Sequence, residues 1–270
     1  MIDCGEGTQR QMLASKVKLS RLNNIFISHL HGDHCFGLIG LISTLGMFNR
    51  TADLYIHSHP SLQSILTPLI STFCDDLSYK VCFEPFDPSK SEVIYEDRSL
   101  TVTTIPLKHK MPTAGFLFSE KERARNIKRE MIDFYQIPLQ TIPLIKQGAD
   151  FVTEDGSIVA NDRLTVAPAP PKKYAYCSDT MYWERILPFI DSVDCLYHES
   201  TFLHDDLAKA KATMHSTALQ AAKIAAMANV KQLLLGHFSA RYDDFQAFLM
   251  EARSVFPNTF VATDGDTIEF

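Results

Sequence analysis

Apolar and polar positions along this chain follow two rhythms, and each change of rhythm marks an element. Ile25-Phe26-Ile27 is a short apolar run of strand type that stops at a polar cluster. From Cys35 to Phe48 the apolar positions then go nearly all the way round, as in a helix buried between a sheet and its neighbours. Leu54-Tyr-Ile-His-Ser-His reads as a strand closed by Pro60, with a helix over 61–72. Short β-type runs follow at 79–83, 92–95 and 100–106, separated by Asp, Pro and Ser turns. After a long interruption the strand pattern returns from Tyr174, from Val193 and from Gln232, with an Ala-rich helix running from His215 to Asn229 between the last two. An amphipathic helix over 243–254 and a strand over 260–270 close the chain.

The interruption is residues 119–173. It opens on 120–130, where five basic residues (Lys121, Arg123, Arg125, Lys128, Arg129) stand against three acidic ones. Two Ile-Pro turns, Gly148 and Asp155-Gly156 follow, and the stretch ends in Ala-Pro-Ala-Pro-Pro-Lys-Lys. So long a segment with little core-type periodicity is uncommon in a compact domain unless it has a function.

Composition narrows the class. With 270 residues, 46% hydrophobic and 21% charged, the chain can bury a sizeable core. No apolar run approaches a membrane span, and the first residues lack the basic and apolar regions of a signal peptide, so a cytoplasmic protein with no membrane partner is expected. Six scattered cysteines without a Cys-x-x-Cys pair are expected to be buried, reduced thiols. A net charge of −6 gives no global attraction to nucleic acid, so a polyanionic substrate needs a local basic patch.

The polar cluster that ends the first apolar run, Ser28-His29-Leu30-His31-Gly32-Asp33-His34, points to metal binding. Imidazole and carboxylate suit zinc, and His29 and His31, two apart at a strand end, can point the same way. One open zinc site needs about three protein ligands, so four candidates here and others downstream suggest two metals in one cleft. Asp179 ends a strand, where α/β sheets present ligands, and one carboxylate can bridge two metals. A buried strand also ends at His237, and another at the pair His198-Glu199. Ser216 or Thr217 can cap the helix that His215 opens. His57 and His59 imitate a second His-x-His but lack an acidic neighbour, and are expected at the surface. Gly5 and Gly7 mark a tight turn that needs backbone freedom.

The His-x-His-x-Asp-His turn resembles that of the metallo-β-lactamase superfamily. Asp3-Cys-Gly-Glu-Gly-Thr-Gln before it, and His198-Glu-Ser-Thr, His215-Ser-Thr and Gly236-His-Phe-Ser-Ala-Arg-Tyr after it, make the chain similar to ribonuclease Z, the tRNA 3′-processing endonucleases. That resemblance implies an α/β fold over 1–270, the αββα sandwich of two mixed sheets flanked by helices, with 119–173 as a protruding substrate-binding arm that lacks the Gly-Pro-rich bacterial tip. It implies one zinc on His29, His31 and His109, a second on Asp33, His34 and His237, and Asp179 shared between them. Asp33 is then the general base, and Glu199 with His215 a relay that protonates the leaving 3′-oxygen. Ser239 and Arg241 follow the last ligand closely enough to hold the scissile phosphate, and the five basic residues of the arm would grip precursor tRNA. The resemblance also implies a homodimer. It implies further that a hairpin of roughly 30 residues ordinarily precedes the Ile-Asp-Cys-Gly turn, so that this sequence would be shortened at its N-terminus. Other two-zinc hydrolases of the superfamily, general phosphodiesterases or arylsulfatase-like enzymes, share the first motif only. A catalytically silent RNA-binding scaffold would require missing ligands, and all seven residue types are present.

Overall fold

Three parallel strands, Asn24–Phe26, Leu54–Ser58 and Val81–Pro85, form the smaller of two stacked sheets. The larger has seven strands, in the order Thr259–Val261, Leu233–Gly236, Cys195–Glu199, Lys173–Cys177, Ala114–Glu120, Leu100–Pro106 and Val93–Glu96. Its first four run parallel and its last two form an antiparallel pair. The computed structural model describes residues 1–74 and 76–270, and all but the ends of two strands of these sheets lie in one compact unit, Met1–Glu96, Thr101–Phe118 and Lys173–Phe270.

Strand alternation builds the layers of this unit. On the first strand Ile25 and Ile27 face one way, into a core with Leu38, Leu41, Ile42 and Leu45 of the helix Leu38–Met47 and Leu62 and Leu66 of the helix Ser61–Phe73. Phe26 faces the other way, to rings of the larger sheet: Phe116 at 5.7 Å, Phe118 at 5.5 Å and Tyr95 at 6.1 Å between centroids. The outer face of the larger sheet is covered by the helices Ala218–Met227 and Gln246–Arg253, whose Ala221, Ala222, Ala225 and Phe248 meet Ala175, Leu196, Leu233 and Leu235. Helix, sheet, sheet, helix is the resulting order. Burying a ring such as Phe116 or Phe248 completely contributes about 1.5–3 kcal/mol each.

Several boundaries differ from those read in the sequence. The helix expected over Cys35–Phe48 is two pieces, Gly32–Cys35 and Leu38–Met47. Between them Gly37 passes so close to the opening turn that a Cβ would lie 2.0 Å from the Gly5 carbonyl oxygen. Gly5 itself has ordinary φ and is needed for closeness to the Asp33 carbonyl, whereas Gly7, at φ 77°, does use the left-handed region. The strand expected over 260–270 is only Thr259–Val261, because a turn at Thr263, closed by the Asp266 carboxylate, ends the pairing. His57 is not at the surface. Its ring is buried, stacks on Phe26 at 4.5 Å and lies 3.0 Å from Asn24 Oδ1, since register places residue 57 beside Phe26 on the face between the sheets. His59 is half-buried, and its Nδ1 accepts from the Ser61 amide.

The second unit, Asp97–Leu100 with Ser119–Lys172, is built from small pieces. Asn126–Ile127 pairs with Thr165–Val166 and Phe151–Val152 with Ile158–Val159. Three short helices, Arg129–Phe134, Ile142–Lys146 and Asn161–Leu164, lie between these strands in the chain. Contrary to the sequence reading, it has a core of its own in Ile137, Ile145, Val159 and Leu164. Buried Asn161 ties it together, donating through Nδ2 to the carbonyls of Ile145 and Ala149 while its amide donates to Asp150.

Candidate metal centre

Five of the seven candidate ligands stand just beyond the carboxyl end of a strand, where an α/β sheet leaves its loops free to carry chemistry. The strand Asn24–Phe26 leads to His29 and His31, Leu100–Pro106 to His109, Lys173–Cys177 to Asp179, and Leu233–Gly236 to His237. Asp33 and His34 lie on the first turn of the helix that follows His31. The turn at His237 is a constrained one: a Cβ on Gly236 would meet the Tyr197 hydroxyl at 2.3 Å, and His237 holds φ at 57°. A non-glycine residue kept in the left-handed region costs energy that the surrounding packing must supply, and such positions cluster at functional sites.

Two groups of ligand-type atoms meet at Asp179. In one, His31 Nδ1 lies 3.0 Å from His29 Nε2 and 3.3 Å from His109 Nε2, and Asp179 Oδ2 lies 3.5 Å from His29 Nε2 and 3.7 Å from His109 Nε2. In the other, Asp179 Oδ1 lies 3.2 Å from His237 Nε2 and 3.4 Å from His34 Nε2, while Asp33 Oδ2 is 3.7 Å and 3.5 Å from the same two nitrogens. Zinc–nitrogen bonds of about 2.0–2.1 Å in tetrahedral array separate ligands by about 3.3 Å, so the spacing suits a metal in each group. The buried His34 Nε2 has no hydrogen-bond partner, which is the condition of an atom directed at a cation. Asp179 is buried, whereas the Asp33 side chain is 67% exposed, so the second group opens to solvent at Asp33.

Electrostatics match this arrangement. Burial raises the Asp179 carboxyl, but His29, His237 and His34 outweigh it and hold the group well below the usual carboxylate range. His237 beside it holds Asp33 at about 2, with His34 adding to the effect. Burial lowers His237, yet Asp33 and Asp179 carry it up to about 9. Burial keeps His31 and His109 below the ordinary imidazole value, in the neutral form that ligates metal.

Partners on the far side of each ring fix its orientation. His109 Nδ1 donates to the carbonyl of Met214, itself at φ 58°, and His29 Nδ1 lies 3.0 Å from Ser28 Oγ. His34 Nδ1 lies 2.7 Å from Asp3 Oδ2, and Asp3 also accepts from the Ser28 amide, the Ser28 hydroxyl and Tyr176. Asp3 sits inside the opening motif, but sequence reasoning gave it no role. It lies 31 positions before His34, so nothing local in the sequence signalled the contact.

The Glu199 carboxylate is fully buried. Its Oε1 is 2.8 Å from His215 Nδ1 and accepts from the Thr180 amide, and its Oε2 accepts from the Thr201 amide and hydroxyl. Thr201 Oγ1 also lies 3.2 Å from His215 Nδ1 and 3.0 Å from His237 Nδ1, a link that no sequence motif announces. His215 stands within 4.8 Å of ligand-type atoms of Asp179 and His237. His198 does not pair with Glu199 through side chains: it points into the core on the other face of the strand, with Nδ1 on the Glu199 carbonyl. Ser216 is not the helix cap, because its hydroxyl donates to the Thr180 carbonyl, and Thr217 forms a capping box with Gln220.

The residues expected at the substrate fall in two places. Arg241 Nε donates to Ser239 Oγ at 3.1 Å, and its guanidinium lies 5.1 Å from the ring of Phe202, which in turn is 6.3 Å from His215. The basic residues of the arm lie in the second unit. There Arg123 pairs with Glu120, Arg125 with Asp162 and Thr165, and Lys128 with the carbonyls of Asp162 and Arg163. The Lys121 amide donates to the Ser99 carbonyl, and Arg129 is exposed.

Comparison with known proteins locates this geometry. The family model of the anti-Pycsar protein Apyc1 matches residues 1–123. Ribonuclease Z of Phocaeicola vulgatus is 58% identical over 98% of this chain and 85% of its own length. That of Porphyromonas gingivalis is 50% identical over 98% and 87%. Among solved structures, the short form of human tRNase Z superposes with a TM-score of 0.68 at 22% identity, over 99% of this chain and 86% of that one. The metallo-β-lactamase fold protein YhfI from Bacillus subtilis gives 0.64 at 19% identity, over 98% and 84%. The fold is therefore that of the metallo-β-lactamases, and with half or more of its residues shared with such relatives over nearly its whole length, the chain belongs to the ribonuclease Z family.

Proposed function

We propose that this chain is a two-zinc endoribonuclease that cuts precursor tRNA 3′ of the discriminator region, leaving a 3′-hydroxyl on the tRNA and a 5′-phosphate on the trailer. One observation carries the reading within this family: Asp179 turns a separate oxygen to each of two imidazole groups. We assign one zinc to His29, His31 and His109 and the other to Asp33, His34 and His237, with Asp179 common to both. Two zincs bound there supply a water of lowered pKa and a countercharge for the oxygens of a phosphoryl displacement. Asp33, the exposed carboxylate of the set, would orient the attacking water and accept its proton. Glu199 holds His215 by Nδ1, which leaves Nε2 to deliver a proton to the departing 3′-oxygen. Ser239 and Arg241 hold the scissile phosphate, and the second unit, residues 119–173 in the sequence reading, grips the tRNA body.

The same reading includes a homodimer in the cytoplasm. No helix among the described residues is long and apolar enough to cross a membrane. The test is incubation of the zinc-loaded protein with a 3′-extended precursor tRNA. A single cut that leaves a 3′-hydroxyl is the expected result. An uncut substrate, or a 2′,3′-cyclic phosphate end, refutes the proposal, and metal analysis giving one ion or fewer per fully active chain refutes the two-zinc part.

A further inference from the structure

The chain has one tryptophan, Trp183, four residues after Asp179. Two cations stand against its ring: Arg185 Cζ is 5.2 Å and Lys108 Nζ 5.7 Å from the ring centroid. Lys108 directly precedes His109, and the loops carrying the two candidate ligands are tied together beside it. The Lys108 amide donates to Thr180 Oγ1 at 3.1 Å, and the Met181 amide donates to the Lys108 carbonyl at 2.8 Å. Lys108, Lys110 and Arg185 are exposed, and Trp183 is half-buried, packed by one side against the core beneath the larger sheet. The one acidic neighbour in this stretch, Glu184, accepts from the Tyr182 hydroxyl at 2.8 Å.

A surface indole covered by a lysine or arginine stem is often packing and no more. Three features of this one go further. Two like charges against one ring repel each other, and an anion between them relieves the repulsion. The whole chain carries −6, so a cluster of three exposed cations beside a ligand loop is a local reversal of its charge. A second cation–aromatic pair, Arg241 over Phe202, adjoins His215 on another edge of the same group of rings, since His109 and His215 lie 4.8 Å apart.

We propose that Trp183, Lys108 and Arg185 form a subsite for one unpaired RNA nucleotide next to the scissile phosphate. The base stacks on the indole, and the cations it displaces from the ring take the flanking phosphates. Stacking of this kind tolerates any base, because every base has a π-face, and it suits a strand whose sequence varies from one substrate to the next. The inference rests on the proposal above that the site hydrolyses RNA.

Because no other tryptophan is present, the protein's tryptophan emission reports on this ring directly. Stopped-flow mixing of the zinc-loaded 270-residue chain with a single-stranded RNA of about six nucleotides should quench that emission saturably. The quenching should weaken as salt rises, and an RNA duplex of the same length should produce none. In precursor-tRNA cleavage, Trp183→Ala should raise KM about 10-fold, within the range for one stacked base, with kcat affected much less, while Trp183→Phe keeps most of the affinity. Lys108→Ala and Arg185→Ala should each flatten the salt dependence by about one phosphate contact. Unchanged emission on addition of single-stranded RNA overturns the subsite, as does Trp183→Phe binding as poorly as Trp183→Ala. The quenching assay needs neither cleavage nor a variant. Quenching by a protein that leaves precursor tRNA uncut would therefore uphold the subsite and refute the proposed reaction.

Discussion

In the first unit, His29, Asp179 and Glu199 are buried, and each is held by groups that strands and their end turns fix in place. In the second, the side chains of Arg123 and Lys128 lean on partners at the surface, and the buried core amounts to four apolar residues. A buried charge is tolerated only when its partners are in place beforehand, and such a framework needs a large core behind it. A surface that meets a large polyanion has no such requirement, since its charges act through solvent and can adjust. The first unit holds its ligand-type side chains in a fixed geometry, and under the proposed function the second offers its exposed basic side chains to tRNA.

The largest effect should follow from removing the group common to both metal sets. Asp179→Ala leaves His29, His34, His109 and His237 without their shared counter-charge. We expect zinc content to fall at both positions and activity to fall beyond the ~10²–10⁴-fold typical of a single acid–base group. His109→Ala should deplete chiefly one. Metal analysis of the two proteins side by side decides this, and equal depletion by both changes would contradict the shared role of Asp179.

Next in size is the Glu199–His215 pair. Either Glu199→Gln or His215→Ala should slow single-turnover cleavage about 10²-fold or more while zinc content is kept. The double variant should be little worse, because the pair acts as a unit through the 2.8 Å contact. His215 also lies within ligand range of Asp179 and His237. Zinc lost from the His215 variant would move it from proton delivery to metal binding.

Asp3→Asn tests how far the fixed framework reaches. Asp3 holds His34 Nδ1 at 2.7 Å while accepting from Ser28 and Tyr176. Weakening a partner of this kind lowers metal affinity or activity by about 10–100-fold. A zinc titration should show the loss chiefly at the position that His34 serves.

The legible and illegible parts of the sequence divide along the same line. Four of the seven candidate ligands, His29, His31, Asp33 and His34, stand in one short motif where type and spacing single them out, whereas His109, Asp179 and His237 are assigned through the family resemblance; the strand Leu100–Pro106 could be bounded to the residue. Asp3 meets His34 across 31 positions, and Thr201 meets His237 across 36, so no local pattern announces either contact. His57, with no acidic neighbour to make it a ligand, was expected at the surface, but the register that sets it beside Phe26 exists only once the strands pair. The small core of the second unit escaped for a related reason. Ile137, Ile145, Val159 and Leu164 follow no helix or strand period, because a loop, two helices of four and five residues and a two-residue strand bring them together.

The smallest effect separates the two uses of charge within the second unit. Arg125 is only 29% exposed at its side chain, and its guanidinium donates to Thr165 Oγ1 at 2.6 Å and to Asp162 Oδ1 at 2.8 Å, across the pairing that closes the unit. Arg129 is exposed at the start of its helix. Arg125→Ala should therefore act on stability, costing about 1 kcal/mol once solvent screening of the exposed Asp162 is allowed for. Arg129→Ala should leave stability within about 0.5 kcal/mol, but reduce the salt dependence of precursor-tRNA binding by about one phosphate contact. Thermal unfolding and filter binding at two salt concentrations, applied to both variants, give the comparison. If Arg125→Ala loses RNA affinity with no change in unfolding, its contacts to Asp162 and Thr165 are incidental, and the guanidinium belongs to the tRNA-gripping surface along with Arg129.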